Sequence, residues 1–248
     1  MIFHSILFSV NNAKENCYVY MLMMLLHSLI RTKTLKDDDT YIIMTDKETK
    51  KILDTIAIFK RPNVKFIEVD SPKTMLEGMS LRYQLHRYTD VIGKTICYMD
   101  VDMLCVREMT IEIPDDVKDA LLVFPEGKND DSNYAMADSP LTIPYGASSG
   151  FFIYKCGNKA IQFMEEVYYN IRTKPETYYT LDQPYFNKAL EGKDFCNYIN
   201  KNTLSFNGHN IDPADPPIFI NCCGDPGSGH FHLLKMLQFF FAGLNSNL

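Results

Sequence analysis

Asp100 and Asp102 are the residues of this chain best suited by type and spacing to do chemistry. They follow Thr95-Ile96-Cys97-Tyr98-Met99, a short apolar run with the character of a buried strand. In an extended segment, residues i and i+2 face the same way, so the two carboxylates are expected to converge on one point. Two such groups repel each other unless a cation lies between them. A hard divalent ion that keeps coordination sites open for phosphate oxygens is the natural partner. A bare Asp-x-Asp also arises by chance, and a solvated turn at the end of a strand is the plain alternative.

The elements that must position this pair can be read from the alternation of strand-like and helix-like segments. Residues 2–10 read as a strand, Asn11-Asn12 as the turn after it, and 16–31 as a long apolar helix. Strands follow at 40–45 and 64–69, with a charged amphipathic helix over 47–59 between them. Pro72 fits the first turn of a helix running to about Tyr88, and 95–99 is a fourth strand, buried on both faces. This order implies βαβ units and a mostly parallel sheet with helices on both faces. Such sheets bind ligands at the carboxyl ends of their strands, where Asn11 and Asp100 fall.

The second half has a different texture. Residues 125–146 collect Gly, Asn, Asp, Ser and Pro and read as a long surface loop, of a length that is often functional. A strand at 150–155, a helix at 158–172 and a helix from about Asp182 come next. The tail holds a Pro-rich turn, a strand at 218–223, a Gly-rich turn and a helix from about His230. There is no internal repeat and no low-complexity tract.

Composition narrows the classes. With 248 residues, 46% hydrophobic and 23% charged, the chain is long enough for one sizeable core. A formal net charge of −6 argues against a general nucleic-acid binder. Seven cysteines without a CxxC pair favour reduced thiols in a cytoplasmic compartment over zinc or a disulfide framework. The apolar run at 18–30 is too short to span a bilayer, for which about twenty residues are needed. The first residues lack the basic start and cleavage site of a signal peptide.

The string from Thr95 to Leu104 resembles the central signature of GT-A nucleotide-sugar glycosyltransferases, closest to the family 8 (glycogenin-like) type. Three further pieces match in order. The stretch 11–29, with Tyr18, resembles that family's first strand-turn-helix, and Ser148-Ser149-Gly150-Phe151-Phe152-Ile153 its central Gly-containing strand. Leu181-Asp182-Gln183, followed by Asn187, resembles its Asp-Gln motif.

The resemblance implies a single α/β GT-A (Rossmann-like) domain over residues 1–248. Its nucleotide-binding half would be 1–106 and its sugar and acceptor half 107–248. It implies a metal-dependent transferase that moves a sugar from a nucleoside-diphosphate donor, most naturally a UDP-sugar, to a glycan, protein or small-molecule acceptor with retention. Asp100 and Asp102 would bind manganese or magnesium bridging the diphosphate. Asn11 and Tyr18 would contact the nucleoside, Arg82 the ribose and diphosphate, Ser149 the sugar, and Asp182 and Gln183 the anomeric carbon. The family usually carries Asn where Ser148 stands. Its terminal segment, whose His completes the metal site and whose Lys grips phosphate, is altered to Asn221-Cys222-Cys223-Gly224, and the chain has no Trp. A third metal ligand could come from His230, His232 or Asn221, with His230 ahead because it directly follows the Gly-rich turn. Lys235 would be the phosphate lysine and His209 an acceptor-side contact.

Simpler roles compete for each residue. Tyr18 and Arg82 also suit ordinary helix positions, Asp182 a helix N-cap, and His230 a helix start that binds nothing. A non-catalytic sugar-nucleotide or glycan-binding module of the same fold remains an alternative. A haloacid-dehalogenase-type phosphatase also uses Asp-x-Asp, but its motif opens the domain, whereas here a hundred residues precede it and Leu104 stands where Thr or Val would.

Overall fold

The computed structural model describes residues 1–8, 17–131, 133–135, 140–173, 181–208, 215–223 and 229–245, with the backbone alone at 229–230 and 243–245. Asn11 and His209 lie outside these residues, and so does the side chain of His230. The first four strands are β1 (Ile2–Leu7), β2 (Thr40–Thr45), β3 (Val64–Glu68) and β4 (Thr95–Met99). The rest are β5 (Met103–Cys105), β6 (Ala120–Lys128), β7 (Tyr145–Lys155), β8 (Cys196–Tyr198), β9 (Leu204–Phe206) and β10 (Phe219–Asn221).

Seven strands form one sheet in the order β3-β2-β1-β4-β7-β6-β8, and three form a second, β5-β10-β9. β1 pairs parallel with β2 and β4, and β2 with β3, whereas β7 runs antiparallel to both neighbours, β4 and β6. The mostly parallel α/β sheet expected from the sequence is therefore present, with one reversed strand. The carboxyl ends of β4 and β6 lie beside the start of β7, so that edge of the sheet collects residues from both halves of the chain.

Helices pack on both faces. The apolar helix α1 (Cys17–Arg31) buries Leu22, Leu25, Leu26 and Leu29 in one core together with Cys97, Met99, Phe151 and Ile153. Each such fully buried side chain contributes about 1.5–3 kcal/mol. The opposite core takes the alternate residues of the same strands, Ile96, Tyr98, Phe152 and Tyr154. These pack with residues of α5 (Asn158–Thr173) and α6 (Gln183–Leu190). That strict alternation of faces is the strand period made visible.

Several boundaries differ from the sequence reading. The helix expected over 47–59 stops as α2 at Leu53, and Ala57–Lys60 forms a separate 3-10 turn. The segment expected as one helix from Pro72 to Tyr88 is three short pieces: α3 (Met75–Ser80), a 3-10 turn Leu81–Tyr83 and α4 (Leu85–Tyr88). Thr74 caps α3, its hydroxyl accepting from the Glu77 amide at 3.1 Å, so Pro72 precedes the helix instead of opening it. Arg82, Tyr83 and Leu85 all turn inward across this break.

The expected loop 125–146 is largely strand at its two ends. Pro125 lies inside β6 at a point where the β6–β7 register shifts, the kind of place where a strand tolerates proline. Tyr134 folds back from the connection, and its ring lies on Gly127 and Gly146, positions where a Cβ would collide with it. The last helix, α7 (Gly229–Asn245), crosses α1 and β5. Among the described residues no helix is long and apolar enough to cross a membrane.

Candidate active site

The strand carrying the paired aspartates ends at Met99, and Asp100, Val101 and Asp102 form a turn into β5. The pair is therefore presented by a turn and not by an extended segment, and Asp100 still raises Asp102 through its charge. Asp100 continues the direction of Tyr98, toward the face of the sheet that holds α6. Asp102 is pinned by its backbone, whose carbonyl accepts from the Cys222 amide at 2.9 Å in the second sheet. The two carboxylates feel each other, and each has its own further partners.

Arg82 organises the first. It is 4% exposed, and its guanidinium lies 3.4 Å from Asp100 Oδ1 and 3.4 Å from Asp182 Oδ2. It donates to the Ser149 carbonyl at 2.8 Å and the Met79 carbonyl at 3.2 Å, and its Cζ stands 4.9 Å over the Tyr98 ring. Tyr98 donates its hydroxyl to Asp100 Oδ1 at 2.6 Å, and Tyr83 donates to Asp182 Oδ2 at 2.5 Å. Tyr98 and Tyr83 each stack on Phe152, with ring centroids 5.0 and 6.0 Å apart. A stacked aromatic floor thus fixes the donors beneath the charges. Burial alone would pull Arg82 down, but Asp100 and Asp182 overcome it and hold the guanidinium well above its ordinary range.

Asp182 occupies the N-cap position of α6 but does not cap, since no side-chain capping bond forms there. Both of its oxygens are used elsewhere: Oδ1 accepts from the Ser149 hydroxyl at 3.2 Å, while Oδ2 faces Tyr83 and Arg82. Gln183 accepts from the Ser149 amide at 3.1 Å. Asn187, one turn on, takes the Ala147 amide at 2.6 Å and donates to the Ala147 carbonyl at 2.8 Å. It thereby serves as a strand partner where β6 has slipped out of register. Gly150 is required here, because a Cβ on it would stand 2.7 Å from Asp100 Oδ2.

The second neighbourhood is unsatisfied. Asp102 Oδ1 is buried with no hydrogen-bond partner, and so are both ring nitrogens of His232 on α7. His232 Nδ1 lies 3.8 Å from Asp102 Oδ2. Burial, and then repulsion by Asp100, push the Asp102 carboxyl up to about 7. Glu126 on β6 is likewise raised to about 7, by burial first and against its bonds from Ser148 and Tyr134. Its Oε2 is also buried and unpartnered. Cys223, whose thiol burial pushes far up, feels the charges of Asp102, Glu126 and Asp100 and so belongs to the same cluster.

Among the described residues no three His, Cys, Asp or Glu side chains stand together as a ready-made metal cage. A carboxylate oxygen and an imidazole, both buried and without partners, are nevertheless a donor set suited to a divalent ion that takes its remaining ligands from phosphate and water.

The structure brings together Arg82, Asp100, Ser149, Asp182 and Gln183, all expected, and Tyr18, whose phenol is raised by burial and then by charges that include Asp102 and Asp100. It puts His232 beside Asp102. Asn221 is engaged elsewhere, its amide oxygen accepting from the Cys223 backbone at 3.0 Å. Lys235 donates to Asn207 Oδ1 at 3.1 Å and stands 4.5 Å from the Phe231 ring centroid. Tyr83, Tyr98, Glu126 and Tyr134 were missed. Tyr98 had a signal, two residues before Asp100 on the same strand face; Glu126 was hidden in what read as a loop.

Comparison with known proteins agrees with this architecture. The model of the nucleotide-diphospho-sugar transferase family matches residues 37–224. A crystal structure of the galactosyltransferase LgtC in complex with donor and acceptor sugar analogs superposes with a TM-score of 0.61 at 14% identity, covering 98% of this chain and 96% of that one. An active-site mutant of LgtC, with a glutamine replaced by glutamate, superposes with a TM-score of 0.59 at 12% identity, covering 96% of each chain. Among curated proteins no sequence matches. The expected GT-A fold is thereby shown.

Proposed function

The chain belongs to the nucleotide-diphospho-sugar transferase family, and we propose that it is a metal-dependent glycosyltransferase that moves a sugar from a UDP-sugar to an acceptor with retention. The observation that carries this reading is that Asp102 Oδ1 and the two ring nitrogens of His232 are buried without a hydrogen-bond partner, next to an engaged Arg82–Asp100–Asp182 network. Unsatisfied buried polar atoms cost about 1–3 kcal/mol each, so a site retains them where a ligand will satisfy them.

We assign Asp102 and His232 as protein ligands of manganese or magnesium, with Asp100 joining when the diphosphate arrives. Bound there, the ion would neutralise charge on the departing diphosphate. His230 keeps its place as the competing ligand. Residues 1–106 take the nucleotide and 107–248 the sugar and acceptor. In this division Asn11 and Tyr18 contact the nucleoside, and Lys235 holds phosphate.

Arg82 supplies fixed positive charge beside the carbon–oxygen bond that breaks, already oriented by Asp100 and Asp182 and needing no reorganisation as charge develops. Ser149 and Gln183 line the sugar. Asp182 stabilises the cationic character of the anomeric carbon, holding Arg82 and Tyr83 while it does so. Retention rests on the resemblance of the Asp182-Gln183 motif to family 8. The cytoplasmic setting in this reading rests on seven cysteines without a CxxC pair.

Calorimetry of UDP binding with manganese and with EDTA tests the reading. Binding is expected only with the metal and is expected to be lost in Asp102→Ala and His232→Ala. Unchanged UDP affinity in EDTA removes the metal from the site. A parent protein that binds UDP-sugars tightly but hydrolyses none of them is a binding module of the same fold.

A further inference from the structure

Glu126 is a buried carboxylate at this edge of the sheet that the proposed transfer reaction leaves unused. It sits on β6, two strands from Asp100 in the order β4-β7-β6, inside the segment where the β6–β7 register slips between Val123 and Gly127. Its carboxylate accepts from the Ser148 and Tyr134 hydroxyls. Tyr134 is itself immobilised, because its ring lies on Gly127 and Gly146, paired across β6 and β7, where any Cβ would collide with it. Two hydroxyls and a glycine-floored slot therefore hold one end of the carboxylate still. The other oxygen, Oε2, is buried and has no partner.

The position of that oxygen narrows what it can meet. Asp100 acts on Glu126, and Glu126 acts in turn on Asp102 and Cys223, so all four groups share one neighbourhood. Viewed from β4, the strands β1, β2 and β3 lie on one side, and β7 and β6 on the other. In the proposed reading the sugar lies against Ser149 and Gln183, on β7 and α6, and Glu126 stands on the next strand, β6. An ionised carboxylate is an acceptor only, and it repels phosphate. A sugar hydroxyl is the neutral donor that suits it.

We propose that Glu126 is a donor-sugar recognition residue, its Oε2 accepting a hydrogen bond from one hydroxyl of the transferred sugar, with Tyr134 and Ser148 as positioning residues. The inference rests on the transferase reading and adds to it a determinant of which sugar is taken. A site built to bond a hydroxyl rejects analogues that lack it, because its own polar group is then left unpaired.

Donor hydrolysis tests this with UDP-glucose, UDP-galactose and their monodeoxy derivatives, in the parent and in Glu126→Gln. The variant is expected to lose about 10- to 100-fold in kcat/KM on the preferred intact donor, the span of one hydrogen bond to a charged group. The parent should lose a similar factor on one particular deoxy donor, and on that donor the variant should be no slower than the parent. Affinity for UDP alone should stay within a few-fold. Tyr134→Phe, which keeps the ring over both glycines, should give a smaller loss with the same donor pattern.

Equal slowing on every donor, deoxy compounds included, overturns the recognition role. A tenfold loss of manganese affinity in Glu126→Gln also overturns it and makes Glu126 a metal ligand. A parent that neither binds nor hydrolyses any UDP-sugar overturns the transferase reading itself. A parent that is active, with a variant indifferent to the sugar's hydroxyls, overturns only this inference.

Discussion

Two regions that meet at Asp100 and Asp102 are built on opposite principles. Around Arg82, every charge is met: Asp100 has Tyr98 and Arg82, and Asp182 has Tyr83, Ser149 and Arg82. Around Asp102, three side chains, Asp102, His232 and Glu126, keep buried atoms with no hydrogen-bond partner. The first region has its charges paired before any ligand arrives. The second waits for one. A transferase needs both, since fixed charge lowers a barrier without reorganising and an open, desolvated ligand set draws binding energy from the donor.

The contrast is sharpest in what removing one partner should do. Arg82→Met strands the buried Asp182 and takes the cation from the partly exposed Asp100, and breaking a buried charge pair in this way costs about 3–5 kcal/mol. Urea unfolding should show that loss; a shift near zero would mean that water already satisfies the network. Double substitution of Asp100 and Asp182 by Asn in the Arg82→Met background should recover part of it.

Asp182→Asn keeps the shape but removes the charge. Turnover of donor should fall on the order of 10²-fold, the scale of one lost transition-state contact, while donor affinity changes by a few-fold. Parent-like hydrolysis by this variant would place Asp182 outside the chemical step and leave it a structural partner of Arg82.

The unsatisfied region should reveal itself through pH. Asp102 is raised to about 7, so the folded protein holds that proton where the unfolded chain has released it. Its contribution to stability is therefore present below the unfolded carboxylate range near 4 and is lost as pH climbs to about 7. His4, buried and lowered to about 4, imposes the opposite slope at the acid end, so the informative quantity is the difference between parent and Asp102→Asn at each pH. Without metal, the variant should gain on the parent from about pH 4 to about pH 7 and hold level above. Manganese should erase the gain by stabilising the ionised parent. A flat difference would mean that Asp102 is already solvated.

The smallest effect belongs to Ser149→Ala, which removes one hydroxyl from a region with several other bonds. About 0.5–1.5 kcal/mol of stability is expected, measurable as a modest drop in Tm. A much larger loss would mean that the Arg82 network is less redundant than its geometry indicates.

Much of the frame was legible in the chain. Alternating apolar segments located β1 to β4 and α1, because a strand buried on both faces and a helix of unbroken apolar residues leave strong local signals. The ordered motifs around Asp100, Ser149 and Asp182 identified the family before any coordinates. The boundaries failed where local propensity and tertiary demand diverged. Gly, Pro and Asn made β6 and the start of β7 look like a loop, although the sheet absorbs Pro125 at a register shift and the Tyr134 ring covers the two glycines.

What the sequence determined by itself was the set of chemical types and their order: two aspartates after a buried strand, a basic residue before it, an Asp-Gln pair beyond it and histidines near the end. Which of them meet was decided only by the tertiary structure. Asp100 and Asp102 are presented by a turn because the strand ends at Met99, yet they stay near enough for the charge of one to raise the other. Asp182 leaves its helix uncapped because a buried arginine and a tyrosine hydroxyl are stronger partners than a backbone amide open to water. His232 comes within 3.8 Å of Asp102 because α7 packs on α1 and β5, contacts made across more than a hundred residues. Spacing along a chain reports local geometry over a few residues; the desolvation and charge pairing that make a carboxylate reactive are set by neighbours brought from far along it.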